Sequence, residues 1–234
     1  LSAMISWRVT FLIVGCWGLV MLYYIWRWVP HVKGVKDTGF KGQFRFLRKP
    51  APWLILGATA LGNGGVFCWY SYVTPMLIHI SGFSPASMTA LMMLAGFGMV
   101  VGNLTSGRLS DRYTPGRVGA TVQGMICIIL LLIFSLAPHP WCAALLMASC
   151  TACLFAVSSP EQVSIIRVAA GGEMFGAACV QVAFNLGNAI GAYCGGKVLH
   201  WGYQYPALIG VPFALVGFIL LTRYYKKYES QYHS

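Results

Sequence analysis

Charge is the scarcest ingredient of this sequence. Only 9% of its 234 residues are Asp, Glu, Lys or Arg, against roughly a quarter in a soluble domain. Just five are acidic, and no two of them stand at a spacing suited to general acid–base chemistry. No nucleophile–base pair appears either, so the sequence is not expected to encode an enzyme. Zinc-ligand spacings and phosphate-cradling glycine loops are missing, and neither a metal nor another cofactor is expected. No signal peptide is visible: the chain opens at Leu1 almost directly into an apolar run and reads as a piece of something longer.

Apolar surface is abundant instead. The chain is 58% hydrophobic, with a mean hydropathy of +0.69, more than a soluble fold of this size could cover. A bilayer is the solvent this composition implies. A net charge of +11 would suggest nucleic acid in a soluble chain. Here the cations sit between apolar runs, where the positive-inside rule accounts for them, and no nucleic-acid partner is expected. The eight cysteines fall inside those runs. Cys150 and Cys153 form a C-x-x-C within one run and read as small packing residues rather than a redox or metal pair.

Seven apolar segments are long enough to span, at roughly 8–29, 52–79, 87–107, 117–137, 141–166, 173–198 and 203–222. The fold class is therefore an all-α polytopic membrane protein. Fourteen of the sixteen Lys and Arg residues fall on one side of this threading, and only Arg8 and Lys197 on the other. That asymmetry predicts a periplasmic N-terminus for the segment and a cytoplasmic C-terminus in a bacterial inner membrane. An intact seven-helix bundle of receptor type is the alternative, but no late-helix lysine suits a retinal link.

Polar residues within the spans are the candidates for function. Asn63, Phe67, Tyr70 and Thr74 share one face of a glycine-rich helix, either as a cavity wall or as helix-to-helix packing. Gly98, Gly102 and Ser106 lie four apart, a seam for close helix contact. The run 117–137, rich in Ile and Leu, is expected to face lipid without touching substrate. Glu161 is the sole acid inside a span and so a candidate for proton coupling. At about 28 Å along its helix it is equally placed to be an ionised interfacial carboxylate beside Arg167 or Arg117. Gly187, Gly191 and Gly195 make a thin face on the sixth span, and Gln181, Asn185 and Asn188 an amide face beside it, for cavity lining or for gluing helices. Phe40, Phe44 and Leu47, with Lys41, Arg45, Arg48 and Lys49 around them, suggest a short basic amphipathic helix on the membrane surface or a solvated charge run. The stretch Gly107–Arg117, with three arginines, reads as a loop just outside the hydrocarbon.

Gly107, Asp111, Arg112, Gly116 and Arg117 resemble the G-x-x-x-D-R-x-G-R loop of major facilitator superfamily transporters, with one extra residue at Thr114-Pro115. The run Phe184–Gly196 is similar to helix 11 of the drug and sugar efflux branch, and Trp7-Arg8 with Phe11 to the start of helix 6. The resemblance covers essentially the whole chain and points to the arabinose-inducible efflux permease subgroup. It implies that residues 1–29 are helix 6, 30–51 the cytoplasmic linker between halves, 52–222 the C-terminal six-helix half and 223–234 a cytoplasmic tail. It further implies export of sugars or drug-like molecules by proton antiport with alternating access, with a substrate site lined by Asn63, Phe67, Tyr70, Gln181, Asn185 and Asn188. Asp111 and Arg112 would work in the cytoplasmic gate. The implied partners are the bilayer, a small-molecule substrate and the missing helices 1–5, from the same full-length chain or a second one. A truncated, transport-inactive membrane fragment is the alternative.

Overall fold

A computed structural model describes residues 7–29 and 42–229. Phe40, Lys41 and the tail from Ser230 to Ser234 lie outside the described residues. Two compact units are present, Leu1–Asp37 and Thr38–Ser234. Among the described residues there is no strand, and seven helices are long and apolar enough to cross a membrane.

The first unit is a single helix, α1 (Trp7–Trp28). Its aliphatic and aromatic side chains, Phe11, Trp17 and Trp26 among them, are exposed along its whole length. A helix apolar on all sides has no stripe to bury and is at home in hydrocarbon.

The second unit holds six spans. They comprise α2 (Pro50–Tyr70) continued by α3 (Val73–His79), then α4 (Met88–Arg112), α5 (Pro115–Leu136), α6 (Pro140–Val168), α7 (Glu173–Lys197) and α8 (Tyr205–Tyr224). Pro50, Pro115 and Pro140 each open a helix, where the missing N–H costs nothing. The break between α2 and α3 has a clear cause. Pro75 cannot donate to the Ser71 carbonyl four residues back, and its ring crowds that group. The span is therefore interrupted at Ser71–Tyr72.

Two layers of contacts assemble the unit. α2 packs between α7 and α8, α4 packs on α6, and α5 lies against α6 and α8. Both expected small-residue seams are at these contacts. A Cβ on Gly187, Gly191 or Gly195 would overlap the backbone carbonyls of Ala60, Gly64 and Cys68 in turn. The second seam runs α4 against α6: Gly98 and Gly102 meet the carbonyls of Ala148 and Ala152. One turn on, the Ser106 hydroxyl donates to the carbonyl of Ala156. Pro160 explains that last bond, because it leaves the Ala156 carbonyl without its helical N–H, and in lipid the vacancy must be filled from a neighbour. The apolar interior is built around Trp69, Ile126, Leu130, Ile133, Met147 and Leu154, all fully buried. The indole N–H of Trp69 reaches the Met76 sulfur at 3.1 Å.

Three expectations need correction. α5 does not simply face lipid. Met125, Ile128, Leu131 and Leu132 are exposed, but Gln123, Ile126, Leu130 and Ile133 are buried, and Gln123 donates to the Ala214 carbonyl at 3.3 Å. An Ile- and Leu-rich composition conceals which side packs. The stretch Gly107–Arg117 is mostly helix, not loop: α4 runs on through Asp111 to Arg112, leaving only Tyr113 and Thr114 between spans. Nothing before Thr114 interrupts a helix, whereas the residue ahead of Pro115 is forced into extended backbone; Thr114 has ψ 139°. In the basic stretch after α1, the described residues begin helical at Gly42 and Gln43 and pass through Phe44 into a 3-10 turn, Arg45–Arg48. There Phe46 is buried, off the Phe44/Leu47 face, with its ring 6.1 Å from that of Phe175.

Candidate functional site

The face of α2 that carries Asn63, Phe67 and Tyr70 is divided by depth. Phe67 and Tyr70 are half-buried, and Phe67 meets the Phe184 ring of α7 edge-on at 5.9 Å. Next to Phe184 on α7 lies the amide face, with Gln181 and Asn185 exposed and Asn188 half-buried. The Asn185 side-chain N–H donates to the Gln181 carbonyl at 2.8 Å, while the buried Asn188 Oδ1 accepts from nothing. Tyr72, one turn beyond, donates its hydroxyl to the Ala192 carbonyl at 2.8 Å and pins α2 to α7. The result is an aromatic and amide surface across two helices that the glycine seam holds in close register. Such a surface can stack on a ring and hydrogen-bond hydroxyl or amide groups.

Asn63 does not reach that surface. It is fully buried, and its amide N–H donates to the Thr59 carbonyl at 2.9 Å. Its neighbour across the helix contact is Glu161 of α6. The Glu161 carboxyl faces the side chains of Thr59 and Asn63, yet neither of its oxygens has a well-formed hydrogen bond. The residue is 1% exposed. The interfacial reading of Glu161, with Arg167 or Arg117 as its partner, is therefore corrected. Counting along α6 located it about two turns from the helix end, but could not show that α2 covers it. Ser164, one turn further, is also buried with an unpartnered hydroxyl.

The carboxylate that Arg167 does meet is Glu229, at 3.6 Å. Sequence reasoning missed this residue because it placed Glu229 in a polar tail. The chain instead closes after α8 in a π-turn, Tyr225–Glu229, that buries it. The Gly116 N–H donates to Glu229 Oε2 at 2.6 Å, so a carboxylate sits on the positive end of α5. A Cβ at Gly116 would collide with that oxygen, which gives the second glycine of the motif a steric reason. Loss of this charge-assisted bond in Glu229→Gln should cost about 1–2 kcal/mol. Thermal unfolding in detergent measures it. Gly116→Ala should cost a similar amount, and the two changes together should fall well short of additivity.

The remaining motif residues are open to solvent. Asp111, Arg112 and Arg117 are exposed around a cavity of about 380 Å³ that Arg167 and Tyr225 also line. Arg117 lies over the Tyr113 ring at 5.6 Å. Among the described residues Asp111 has no ion pair, and it stands in the last turn of α4, the end that repels an anion. No group of His, Cys, Asp and Glu among the described residues could hold a metal.

The Major Facilitator Superfamily model matches residues 1–178. The chain belongs to the major facilitator superfamily. Within this superfamily it is 43% identical over 233 residues to AraJ of Escherichia coli (strain K12), covering 99% of this chain and 59% of that protein. It is 31% identical over 226 residues to the inner membrane transport protein YdhP of the same strain, covering 94% and 57%. The MFS-type transporter YfhI of Bacillus subtilis (strain 168) is 28% identical over 224 residues, covering 95% and 56%. The chain thus spans less than three fifths of the length of these curated relatives. Membership of the superfamily is consistent with the multi-pass helical architecture.

Proposed function

We propose that this chain supplies the C-terminal half, and the helix before it, of an exporter of small molecules in a bacterial inner membrane. Its basic end faces the cytoplasm, as the distribution of Lys and Arg supports, and α1 begins on the periplasmic side. The observation that carries the reading is the amide and aromatic face on which Gln181 and Asn185 are exposed beside half-buried Phe67, Tyr70, Phe184 and Asn188. Exposed amides on a membrane helix need water or a polar ligand opposite them, and a substrate cavity between two rocking halves supplies both. Sugars and amphipathic drug-like molecules fit this mixture of rings and amides. The other wall comes from helices 1–5, in the full-length chain or a second one, and no covalent conversion of the substrate takes place. Protons drive export in exchange, with Glu161 as the carrier: a carboxyl enclosed by Thr59 and Asn63 is neutral or charged according to whether it holds a proton, and each state favours a different packing of α2 on α6. Asp111 is part of the gate. It is released in this arrangement and pairs with a helix N-terminus or an arginine in the other.

The experiment is flux in proteoliposomes that hold either this chain alone or the chain with helices 1–5 restored. A panel of labelled sugars and drug-like cations should be exported under a pH gradient only with the restored protein. Uphill flux by this chain alone would overturn the two-half requirement, and no flux with either would favour an inactive fragment. Asp111→Asn in the restored protein should lower flux by about tenfold or more, the scale of a lost switch contact, with membrane insertion unchanged. Undiminished flux would reduce Asp111 to a surface residue.

A further inference from the structure

At the basic end of the second unit, two hollows flank the start of α2 and share Pro50 and Tyr228. The one toward α8, about 630 Å³, has Arg223, Lys226 and Lys227 on its rim and Leu54 and Ile219 on its floor. Among the described residues no carboxylate lines it. Thr222 also faces it, and that hydroxyl is buried with no hydrogen-bond partner. Lys227 lies over the Tyr228 ring at 5.6 Å, which holds its ammonium at the mouth. The hollow on the far side of Pro50 and Tyr228 is lined by Lys49 and Arg167 and also by Glu229, the carboxylate that Arg167 meets.

We propose that this hollow binds the headgroup of a net-anionic phospholipid. Three cations around an apolar floor, at the level where α8 leaves the hydrocarbon, match a phosphodiester whose acyl chains run down along Leu54 and Ile219. A soluble anion would leave the apolar floor unused, and a zwitterionic lipid would place its own cation among three others. Thr222 donates its hydroxyl to a phosphate oxygen, the acceptor it lacks. The occupant joins the N-terminal turn of α2 to the C-terminal turn of α8, so its loss loosens the contact between these two helices. The site is independent of what is transported.

Native mass spectrometry of the delipidated chain in detergent tests this, with phosphatidylglycerol, cardiolipin or phosphatidylcholine added at equal concentration. The anionic lipids should be retained about tenfold better than phosphatidylcholine, and the triple variant Arg223→Gln/Lys226→Gln/Lys227→Gln should abolish the preference. Arg8→Gln/Arg27→Gln/Lys197→Gln, which removes as much charge elsewhere, should keep it. Equal retention of all three lipids, or equal loss in both triple variants, would overturn a specific site. Displacement by millimolar inorganic phosphate would assign the hollow to a soluble anion and also overturn the lipid reading. Thr222→Val, which keeps the volume and removes the donor, should weaken phosphatidylglycerol retention severalfold even where the triple variant folds poorly.

Discussion

Gly191→Val should strip this protein of its native packing along the seam between α2 and α7. A Cβ there overlaps the Gly64 carbonyl and crowds the Cys68 N–H, both backbone groups of α2 with no rotamer to yield. The closeness continues one turn earlier, since a Cβ on Gly64 would stand 2.9 Å from the Gly187 carbonyl. In lipid, packing and hydrogen bonding hold helices together without a hydrophobic drive, so separating the two backbones forfeits most of what joins them. The cost should be about 3 kcal/mol. For a chain of this size that lowers the melting temperature by roughly 6–12 °C, read by the loss of the monodisperse species on heating in detergent. Gly96→Ala is the contrast, since nothing lies within 4 Å of the Cβ it would add. It should be neutral, or stabilising by up to about 1 kcal/mol. Equal effects of the two would remove the seam from the account of stability.

Glu161→Gln should separate stability from function. The glutamine keeps the shape and removes a buried carboxylate that Thr59 and Asn63 attend but do not fully satisfy. A buried ion without a counter-ion is costly, so at a pH where Glu161 has lost its proton the variant should be more stable than the parent, by about 2 kcal/mol on the scale of such groups, and the gain should fade as acid returns the proton. In the restored transporter the same change should leave downhill exchange of substrate intact and reduce accumulation driven by a pH gradient at least about tenfold, as removal of the coupled site requires. Glu161→Ala should instead destabilise, because it leaves a hole between α2 and α6. Proton-driven accumulation that survived Glu161→Gln would remove this carboxyl from coupling. A Gln variant no more stable than the parent would mean that the buried charge is fully compensated.

The sequence disclosed most about features that repeat. Gly98, Gly102 and Ser106, and again Gly187, Gly191 and Gly195, recur every four residues because two backbones touch once per turn, and so the seam is written directly in residue size. The apolar runs gave the spans for the same reason, their length being set by the hydrocarbon. What a local window could not convey was who covers whom. Gln123 and the buried side of α5 are invisible in a run that is apolar all round. Asn63 and Glu161 are a hundred residues apart and acquire their meaning only when α2 and α6 meet. Glu229 sat among lysines and tyrosines that resemble a membrane anchor, and only the turn that folds it back onto Gly116 gives it a role. The extended length of α4 was missed because arginines were read as a break, although they are good helix formers and the true stop is Pro115.

The brevity of the link between α4 and α5 has a mechanical result. Tyr113 and Thr114 are already extended, and two residues reach about 7 Å at most. The ends of these two helices are therefore stapled at one corner. They can swing apart at the opposite rim, but they cannot slide lengthwise past each other, so any movement in this part of the protein is a tilt about that corner.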